Sequence, residues 1–379
     1  MKMFRHLALI LLAVVLAGFL VAPAHAQPQL PCFGGAPSAP NAPKAQIQPC
    51  FYVTDSINNR VLVFSLNTGD FLFHFGSTGT GNGQFKAPVG IVVSPYDGSV
   101  FVADSGNSRI QEFDPNGNFI RQFGNSGTGP GRLITPTGVA VDFTDPVDYA
   151  VYVADFANNR VVVFDNTGHF LHAFGSSGTG SGQFKGPWGI CISVSNALFV
   201  TDQNNSRIQM FDTSGNFLAM YGAKGTNPGQ LMMPTGITAV MDERDECEDC
   251  CNDCGAPSGP VSTSTPMLIL VADAANNRVN VYSVQFNSPP NKWIFQFLYK
   301  FGSVGTGAGQ LSSPLGIFSL TPIFSGSAIP LFLADGNNHR VDIFGPDNSS
   351  AFFDEKFGTF GTGPGQFVTP AGIAAPFFD

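Results

Sequence analysis

Four short sequence landmarks recur six times, in the same order, along residues 51–379. The first is Pro-x-Gly followed by an apolar residue, and the second is Asp-x-x-Asn-x-Arg, or a close variant, directly after a short apolar run. The third is an aromatic residue followed by Gly, and the fourth is a Gly-rich link that ends in Phe or Leu. Self-similarity at a spacing of roughly 50 residues is the signature of a repeat architecture. The Asp and Arg residues of the second landmark are Asp55/Arg60, Asp104/Arg109, Asp155/Arg160, Asp202/Arg207, Asp273/Arg278 and Asp335/Arg340.

Each unit contains four short β-rich runs separated by turn sequences. In one unit these runs are 90–93, 100–104, 109–113 and 118–123, and Asp114-Pro115-Asn116-Gly117 marks the last turn. Four antiparallel strands in a unit of this length form one blade of a β-propeller. The composition agrees, because 44 Gly, 28 Pro and only 12% charged residues suit many short strands joined by tight turns.

The order of the landmarks at the two ends predicts how the ring closes. The repeats begin at 51–55 with a second strand that no inner strand precedes, and they end at 370–376 with an inner strand. We therefore expect the C-terminal strand to complete the blade begun by 51–76, which removes two exposed sheet edges. The predicted fold is all-β, a six-bladed β-propeller of four-stranded antiparallel blades. Blades 1 to 6 are predicted at 88–124, 136–175, 187–222, 234–302, 314–358, and 370–376 with 51–76.

The amino-acid pattern of these repeats resembles the NHL repeat. The resemblance is carried by the segments Val102–Ile110, Gly182–Ile190 and Val271–Val279, and the recurring pattern covers essentially all of 51–379. It implies the six-bladed propeller fold and does not imply one function. Proteins with similar repeats include RNA-binding tripartite-motif proteins, a zinc-dependent peptide-amidating lyase, and extracytoplasmic sensor or adhesion domains.

The N-terminus predicts export. Lys2 and Arg5 precede an uncharged apolar run, and Ala24-His25-Ala26 supplies small residues of the kind that signal peptidase reads. This pattern predicts a cleavable signal peptide at 1–26 and an extracytoplasmic protein, periplasmic or secreted, that does not insert into a membrane after cleavage. Residues 27–49 contain six prolines without an alternating apolar pattern, which is typical of a linker or arm.

The recurring Asp and Arg residues have a structural interpretation that we favour over a catalytic one. An Asp at a strand end can accept backbone N–H bonds in the following turn, Asn tolerates the left-handed conformation there, and Arg can pair with the Asp. A catalytic site needs unlike residues that converge, rather than six copies of one set. We also expect the Phe or Leu of each Gly-rich link to pack between neighbouring blades.

One segment departs from the repeat. Residues 242–266 form an acidic insertion between the first and second strands of blade 4. It contains Cys247, Cys250, Cys251 and Cys254, for which we favour disulfides in an oxidising compartment. Zinc binding by the four thiolates is the alternative. For the neighbouring carboxylates we favour solvated surface charge, with weak Ca²⁺ binding as the alternative.

The three other cysteines have separate interpretations. Cys32 and Cys50 bracket the Pro-rich arm and are candidates for a disulfide that ties the arm to the first strand. Cys191 lies in a predicted inner strand and is interpreted as a buried thiol.

Charge and histidine placement narrow the functional classes. The formal net charge is −9 for the whole chain and −11 after the segment with Lys2 and Arg5 is removed, which argues against nucleic-acid binding. The histidines of the mature chain are His74, His169, His172 and His339. None of them lies in a predicted inner strand, where residues would line the channel.

We therefore predict a binding or scaffold module for a protein, peptide or glycan ligand at one propeller face, with no cofactor. A metal-dependent lyase or hydrolase with its site at the channel mouth is the alternative.

Overall fold

The computed structural model describes residues 49–142, 145–241, 267–287, 292–319, 330–346 and 351–376. Its first fifteen strands are β1 (Cys50–Asp55), β2 (Arg60–Ser65), β3 (Phe71–Phe75), β4 (Ser77–Thr78), β5 (Gln84–Phe85), β6 (Pro88–Val93), β7 (Val100–Asp104), β8 (Arg109–Phe113), β9 (Phe119–Phe123), β10 (Pro136–Val141), β11 (Ala150–Asp155), β12 (Arg160–Asp165), β13 (Phe170–Phe174), β14 (Ser176–Ser177) and β15 (Gln183–Phe184).

The remaining strands are β16 (Pro187–Ile192), β17 (Leu198–Asp202), β18 (Arg207–Phe211), β19 (Phe217–Tyr221), β20 (Pro234–Met241), β21 (Met267–Asp273), β22 (Arg278–Asn287), β23 (Lys292–Phe301), β24 (Ser303–Val304), β25 (Gln310–Leu311), β26 (Pro314–Ser319), β27 (Leu331–Asp335), β28 (Arg340–Pro346), β29 (Ala351–Phe357) and β30 (Pro370–Ala374). Short 3₁₀ turns lie at Ser105–Asn107, Phe156–Asn158, Gln203–Asn205, Ala274–Asn276 and Gly336–Asn338. Among the residues that the structure describes, no helix is long and apolar enough to cross a membrane.

The strands form six four-stranded antiparallel sheets, which confirms the predicted propeller. Blade 1, for example, has the strand order β6-β7-β8-β9. Its middle strands β7 and β8 are buried at every position, whereas the outermost strand β9 alternates between half-buried and exposed residues up to the buried Phe123. The middle strands are buried on both faces because each blade is covered by a neighbour on either side.

The ring closes through the C-terminal strand, as predicted. β30 pairs antiparallel with β1, with Tyr52 opposite Ala374 and Val53 opposite Ile373, so blade 6 has the order β3-β2-β1-β30. Phe51 of the same blade packs its ring 5.3 Å from that of Phe332 in blade 5. The ring is therefore closed by a backbone ladder within blade 6 and by apolar contacts between blade 6 and blade 5.

Each Gly-rich link places one large side chain between two blades. These residues are fully buried, and each belongs to a different one of the six apolar clusters that separate adjacent blades. They are Phe85, Leu133, Phe184, Leu231, Leu311 and Phe367. Full burial of such a side chain stabilises the fold by about 1.5–3 kcal/mol, so the links hold the blades together as well as connecting them.

The propeller has two different faces. We call the side that carries the Gly-rich links and the Asp-x-x-Asn-x-Arg turns the link face, and the opposite side, with the loops between strands 1 and 2 and between strands 3 and 4 of each blade, the hairpin face. The inner strands β6, β10, β16, β20, β26 and β30 begin at the link face and line a central channel.

Several predicted features lie outside the described residues. They are the signal peptide at 1–26, the arm at 27–49 apart from its last residue, and the insertion at 242–266 with its four cysteines. Cys50 is disulfide-bonded, and because Cys32 is outside the described residues, the pairing of these two stays a prediction. Cys191 is a free, half-buried thiol on β16, and burial raises its pKa.

The channel is narrowest where six glycines face their neighbours. A Cβ added to the Gly of any Pro-x-Gly landmark would collide with a backbone carbonyl of the next inner strand. At the closure, a Cβ on Gly372 would meet the carbonyl oxygen of Val89, so blade 6 approaches blade 1 as closely as consecutive blades approach each other.

We expect Gly372→Ala to destabilise the ring, because the new methyl group meets backbone atoms that cannot move aside. Overpacking of this kind costs about 1–3 kcal/mol, which in a chain of this size corresponds to a thermal midpoint lower by roughly 1–4 °C. Gly129→Ala is the matched control, since the nearest atom to its added Cβ is 3.6 Å away. Equal thermal midpoints for both variants would contradict the close packing at the closure.

Candidate functional site

The predicted Asp and Arg residues form a network that fixes each Gly-rich link. In blade 1, Asp104 is fully buried, and its carboxylate accepts a 2.8 Å hydrogen bond from the backbone N–H of Lys86 in the link. The Arg109 Nε lies 2.7 Å from the same carboxylate. The Arg109 guanidinium also donates to three backbone carbonyls of the link, at 2.7–2.9 Å.

All six blades repeat this arrangement. The six Asp side chains have no exposed surface, and an Asn three residues later bridges each carboxylate to a carbonyl of the link. The closest Arg–Asp nitrogen–oxygen distances are 3.4 Å for Arg60–Asp55, 2.7 Å for Arg109–Asp104, 3.3 Å for Arg160–Asp155, 2.8 Å for Arg207–Asp202, 2.9 Å for Arg278–Asp273 and 3.3 Å for Arg340–Asp335. The Asp carboxylates and the Arg guanidinium groups bind each other and backbone groups of the links, which supports the structural interpretation of these residues.

Blade 5 contains an additional acid in this network. Two residues after the Arg, blades 1 and 3 carry Gln111 and Gln209, whose amides donate to a link carbonyl. Blade 5 has Asp342 at this position, fully buried, with its carboxylate 2.9 Å from Arg340 Nε. Burial raises the pKa of Asp342 to about 7, and the adjacent Asp335 carboxylate adds to the rise while Arg340 opposes it.

The channel mouth on the link face is where unlike residues meet. It is lined by the residue between Pro and Gly of each landmark, and the cavity there has a volume of about 70 Å³. Around the ring these residues are Val89, Thr137, Trp188, Thr235, Leu315 and Ala371. Half-buried and buried residues alternate, because Val89, Trp188 and Leu315 are half-buried and the other three are buried.

Trp188 forms an aromatic pair with Phe156 at this mouth. Phe156 comes from the turn of blade 2 and Trp188 from the inner strand of blade 3, and their ring centroids are 5.6 Å apart in a perpendicular arrangement. Gly186 makes room for the pair, because it has a φ of +67° and a Cβ there would lie 2.5 Å from the Phe156 ring. Neither ring was predicted from the sequence as part of a site. The available signal was that Phe156 replaces small or polar residues at its repeat position, and that Trp188 is the one aromatic residue among the six at its own.

The other half of the channel, toward the hairpin face, has a volume of about 100 Å³ and a largely apolar lining without charged groups. Cys191 and Phe318 contribute to this lining.

Metal-binding groups do not converge in the part of the chain that the structure describes. No group of three or more His, Cys, Asp or Glu residues there could hold a metal ion. His74 and His172 lie on the outer strands β3 and β13, His169 precedes β13, and His339 lies in the turn before β28. His339 instead contacts the carbonyl of Val368 through Nδ1, at 2.6 Å.

We expect Asp342→Asn to stabilise the protein most at high pH. A buried carboxyl with a raised pKa favours folding below its unfolded pKa of about 4 and loses that contribution as the pH rises through 7. The variant should therefore gain roughly 1–3 kcal/mol at pH 8 and little at pH 4. Thermal midpoints measured from pH 4 to 8 test this, with the exposed Asp148→Asn as the control. A variant that tracks the wild type at every pH would show that Asp342 does not titrate in this range.

Comparisons with known proteins agree with the fold. A family model described as "6-bladed beta-propeller" matches residues 45–110, and the NHL repeat model matches residues 184–211. A search of curated proteins found no match.

Similar solved structures include a chain of the nidogen/laminin complex, with a TM-score of 0.54 and 14% identity, covering 86% of this chain and 98% of that one. A protein of unknown function from Bacteroides caccae has a TM-score of 0.52 and 11% identity, with coverage of 86% and 98%. Kuenenia stuttgartiensis hydrazine synthase has a TM-score of 0.50 and 11% identity, with coverage of 85% of each chain. Identities this low show similarity of fold alone.

The two family models, the six four-stranded sheets and the closure of β1 with β30 lead to one conclusion. The chain is a six-bladed β-propeller built from NHL-type repeats.

Proposed function

We propose that this propeller is an exported binding or scaffold module that holds a protein, peptide or glycan ligand at the link-face channel mouth. The observation that carries the proposal is the pair of Trp188 and Phe156, which two different blades bring together beside the mouth. Half-buried aromatic residues of this kind are enriched in binding interfaces, because they offer a large apolar surface at a small cost in conformational entropy.

The rest of the link face supports this choice of location. The repeated Asp, Asn and Arg side chains hold the links, and the link Phe and Leu side chains pack between blades. These residues keep the surface in place and are not themselves available to a ligand. Contacts with a ligand therefore fall to the positions where the repeats differ, such as those of Trp188 and Leu315.

Export is part of the proposal. The sequence of residues 1–26 has the features of a cleavable signal, and Cys50 is disulfide-bonded. Disulfides form and persist in oxidising compartments such as the periplasm and the extracellular space. Both observations support a periplasmic or secreted protein.

The alternative, a metal-dependent lyase or hydrolase, has less support. Carboxylates at the link face are paired with arginines inside the protein, and the described residues offer no set of three metal ligands. The candidate metal ligands Cys247, Cys250, Cys251 and Cys254 lie outside the described residues, so zinc or calcium binding at the insertion stays the alternative prediction.

The proposal predicts that Trp188→Ala weakens ligand binding at least tenfold while the thermal midpoint changes little. Mature protein beginning at Gln27 would be screened on arrays of glycans and of envelope and extracellular-matrix peptides, and each ligand found would be titrated. Trp293→Phe is the matched control, because Trp293 is the other tryptophan and lies on the outer strand of blade 4.

Two results would count against the proposal. One is ligands that bind Trp188→Ala as tightly as the wild type. The other is an absence of ligands together with turnover of a lactone or of an amidated-peptide precursor, which would favour the enzyme alternative.

A further inference from the structure

The exposed charges of the link face are all positive in the described part of the chain. Four exposed cations lie on four consecutive links, those that lead into blades 1 to 4, and we call them the cationic arc: Lys86, Arg132, Lys185 and Lys224. The acids of this face are the six Asp residues of the turns and Asp342, which are all fully buried and paired with Arg. The cationic arc is therefore not neutralised by neighbours on its own face.

The hairpin face has the opposite sign. Its loops carry aspartates that are exposed or half-buried, namely Asp70, Asp97, Asp114, Asp145, Asp148, Asp165 and Asp212. Charges segregated in this way steer an approaching anion toward one face and away from the other. The net charge of −9 is a sum over the whole chain and does not show this difference between the two faces.

The two links without a cation carry apolar side chains instead. At one repeat position the links hold Thr78, Ser126, Ser177, Lys224, Val304 and Phe360. Val304 and Phe360 are 69% and 66% exposed, and Ile57 in the neighbouring turn of blade 6 is 62% exposed. We call these three residues the apolar arc. It completes the circle that the cationic arc begins.

We propose that the link face binds an acidic segment of a partner protein that also carries large apolar side chains. This inference rests on the proposed function and specifies its ligand. Carboxylates of the segment lie over the cationic arc, one apolar side chain enters the mouth beside Trp188, and further apolar side chains cover Val304 and Phe360. Apolar contacts supply affinity, and the charges supply orientation and a fast association rate.

The apolar arc is the reason for choosing a polypeptide ligand over other anions. Acidic glycans and nucleic acids carry a dense, regular charge and few large apolar groups, so they would leave Val304, Phe360 and Ile57 uncovered. A second copy of this chain would have to approach with its acidic hairpin face, which makes self-association an outcome that the test must detect.

The test uses fluorescein-labelled synthetic peptides and the mature chain under non-reducing conditions, and binding is followed by fluorescence anisotropy. One peptide alternates Asp and Glu with Leu and Phe, a second replaces every acid by its amide, and a third keeps the acids and replaces Leu and Phe by Ser. We expect the first peptide to bind at least tenfold more tightly than either of the others, with affinity that falls as salt rises.

Charge-reversal variants locate the site. Lys86→Glu combined with Lys185→Glu should weaken binding of the first peptide at least tenfold. Lys292→Glu combined with Lys300→Glu makes the same change in net charge on the outer strand β23 and should change the affinity less than twofold.

The apolar arc is tested separately. Val304→Ser combined with Phe360→Ser introduces the kind of small polar residue that the links into blades 1 to 3 have at the same position, and it should weaken binding several-fold. Thermal midpoints of all variants show whether the fold is kept.

The outcomes separate this inference from the proposed function. Equal binding of the acidic and amide peptides, with both lost in Trp188→Ala, would overturn the acidic ligand and keep the proposed site. Failure of all peptides to bind at millimolar concentration would overturn the inference, and the array screen would still test the proposed function separately. If heparin binds and the Val304→Ser and Phe360→Ser variant binds it equally well, the ligand of the link face would be an acidic glycan instead. Self-association that the Lys86 and Lys185 variant abolishes would assign it to a second copy.

Discussion

The propeller depends on the buried Asp–Arg pair that joins each turn to the link beside it. The links are rich in glycine and supply few apolar side chains of their own, so their backbone carbonyls need donors within the protein. Arg109 and its five counterparts provide those donors through a planar guanidinium that reaches two or three carbonyls at once. Buried ion pairs commonly contribute little net stability, because desolvation offsets the attraction. Their contribution here is to hold each Gly-rich link, which has no core of its own, in one defined conformation between two blades.

The crowding of the inner strands explains where variation is possible. At the glycine constriction adjacent inner strands touch through backbone atoms, so six bulky side chains cannot stand side by side next to it. Half-buried residues alternate with buried ones around the ring, with Val89, Trp188 and Leu315 in the odd-numbered blades and Thr137, Thr235 and Ala371 in the even-numbered ones. The same alternation of burial recurs below the constriction, where Val92, Cys191 and Phe318 are half-buried and Ala140, Thr238 and Ala374 are buried. The channel is therefore closer to threefold than to sixfold symmetry, and this gives a ligand a defined orientation about the axis.

The fold could be predicted from the sequence because the same landmarks recur in six repeats. Repeated landmarks average out the ambiguity of any single strand, and the incomplete units at 51–55 and 370–376 predicted the pairing of β1 with β30. The candidate site was harder to predict, because it depends on neighbours that belong to different repeats. Phe156 and Trp188 are 32 positions apart and meet only because Gly186 leaves space for a ring from the preceding blade. The unusual environment of Asp342 likewise depends on two carboxylates that share one Arg, and a pattern of residue types does not show such a distance.

The closure of the ring also has a mechanical consequence. β1 runs from the hairpin face to the link face and β30 runs back, so Cys50 and Ala374 lie together at one end of the ladder that joins them. Tension applied between these two ends would load the pair of Tyr52 and Ala374 first, and then each further pair in turn, as a zipper opens. The ring is therefore strong against thermal motion, in which all pairs share the load, and weak against a directed pull on its two ends. An anchored propeller of this design would resist force well only if the load entered through a face or a rim.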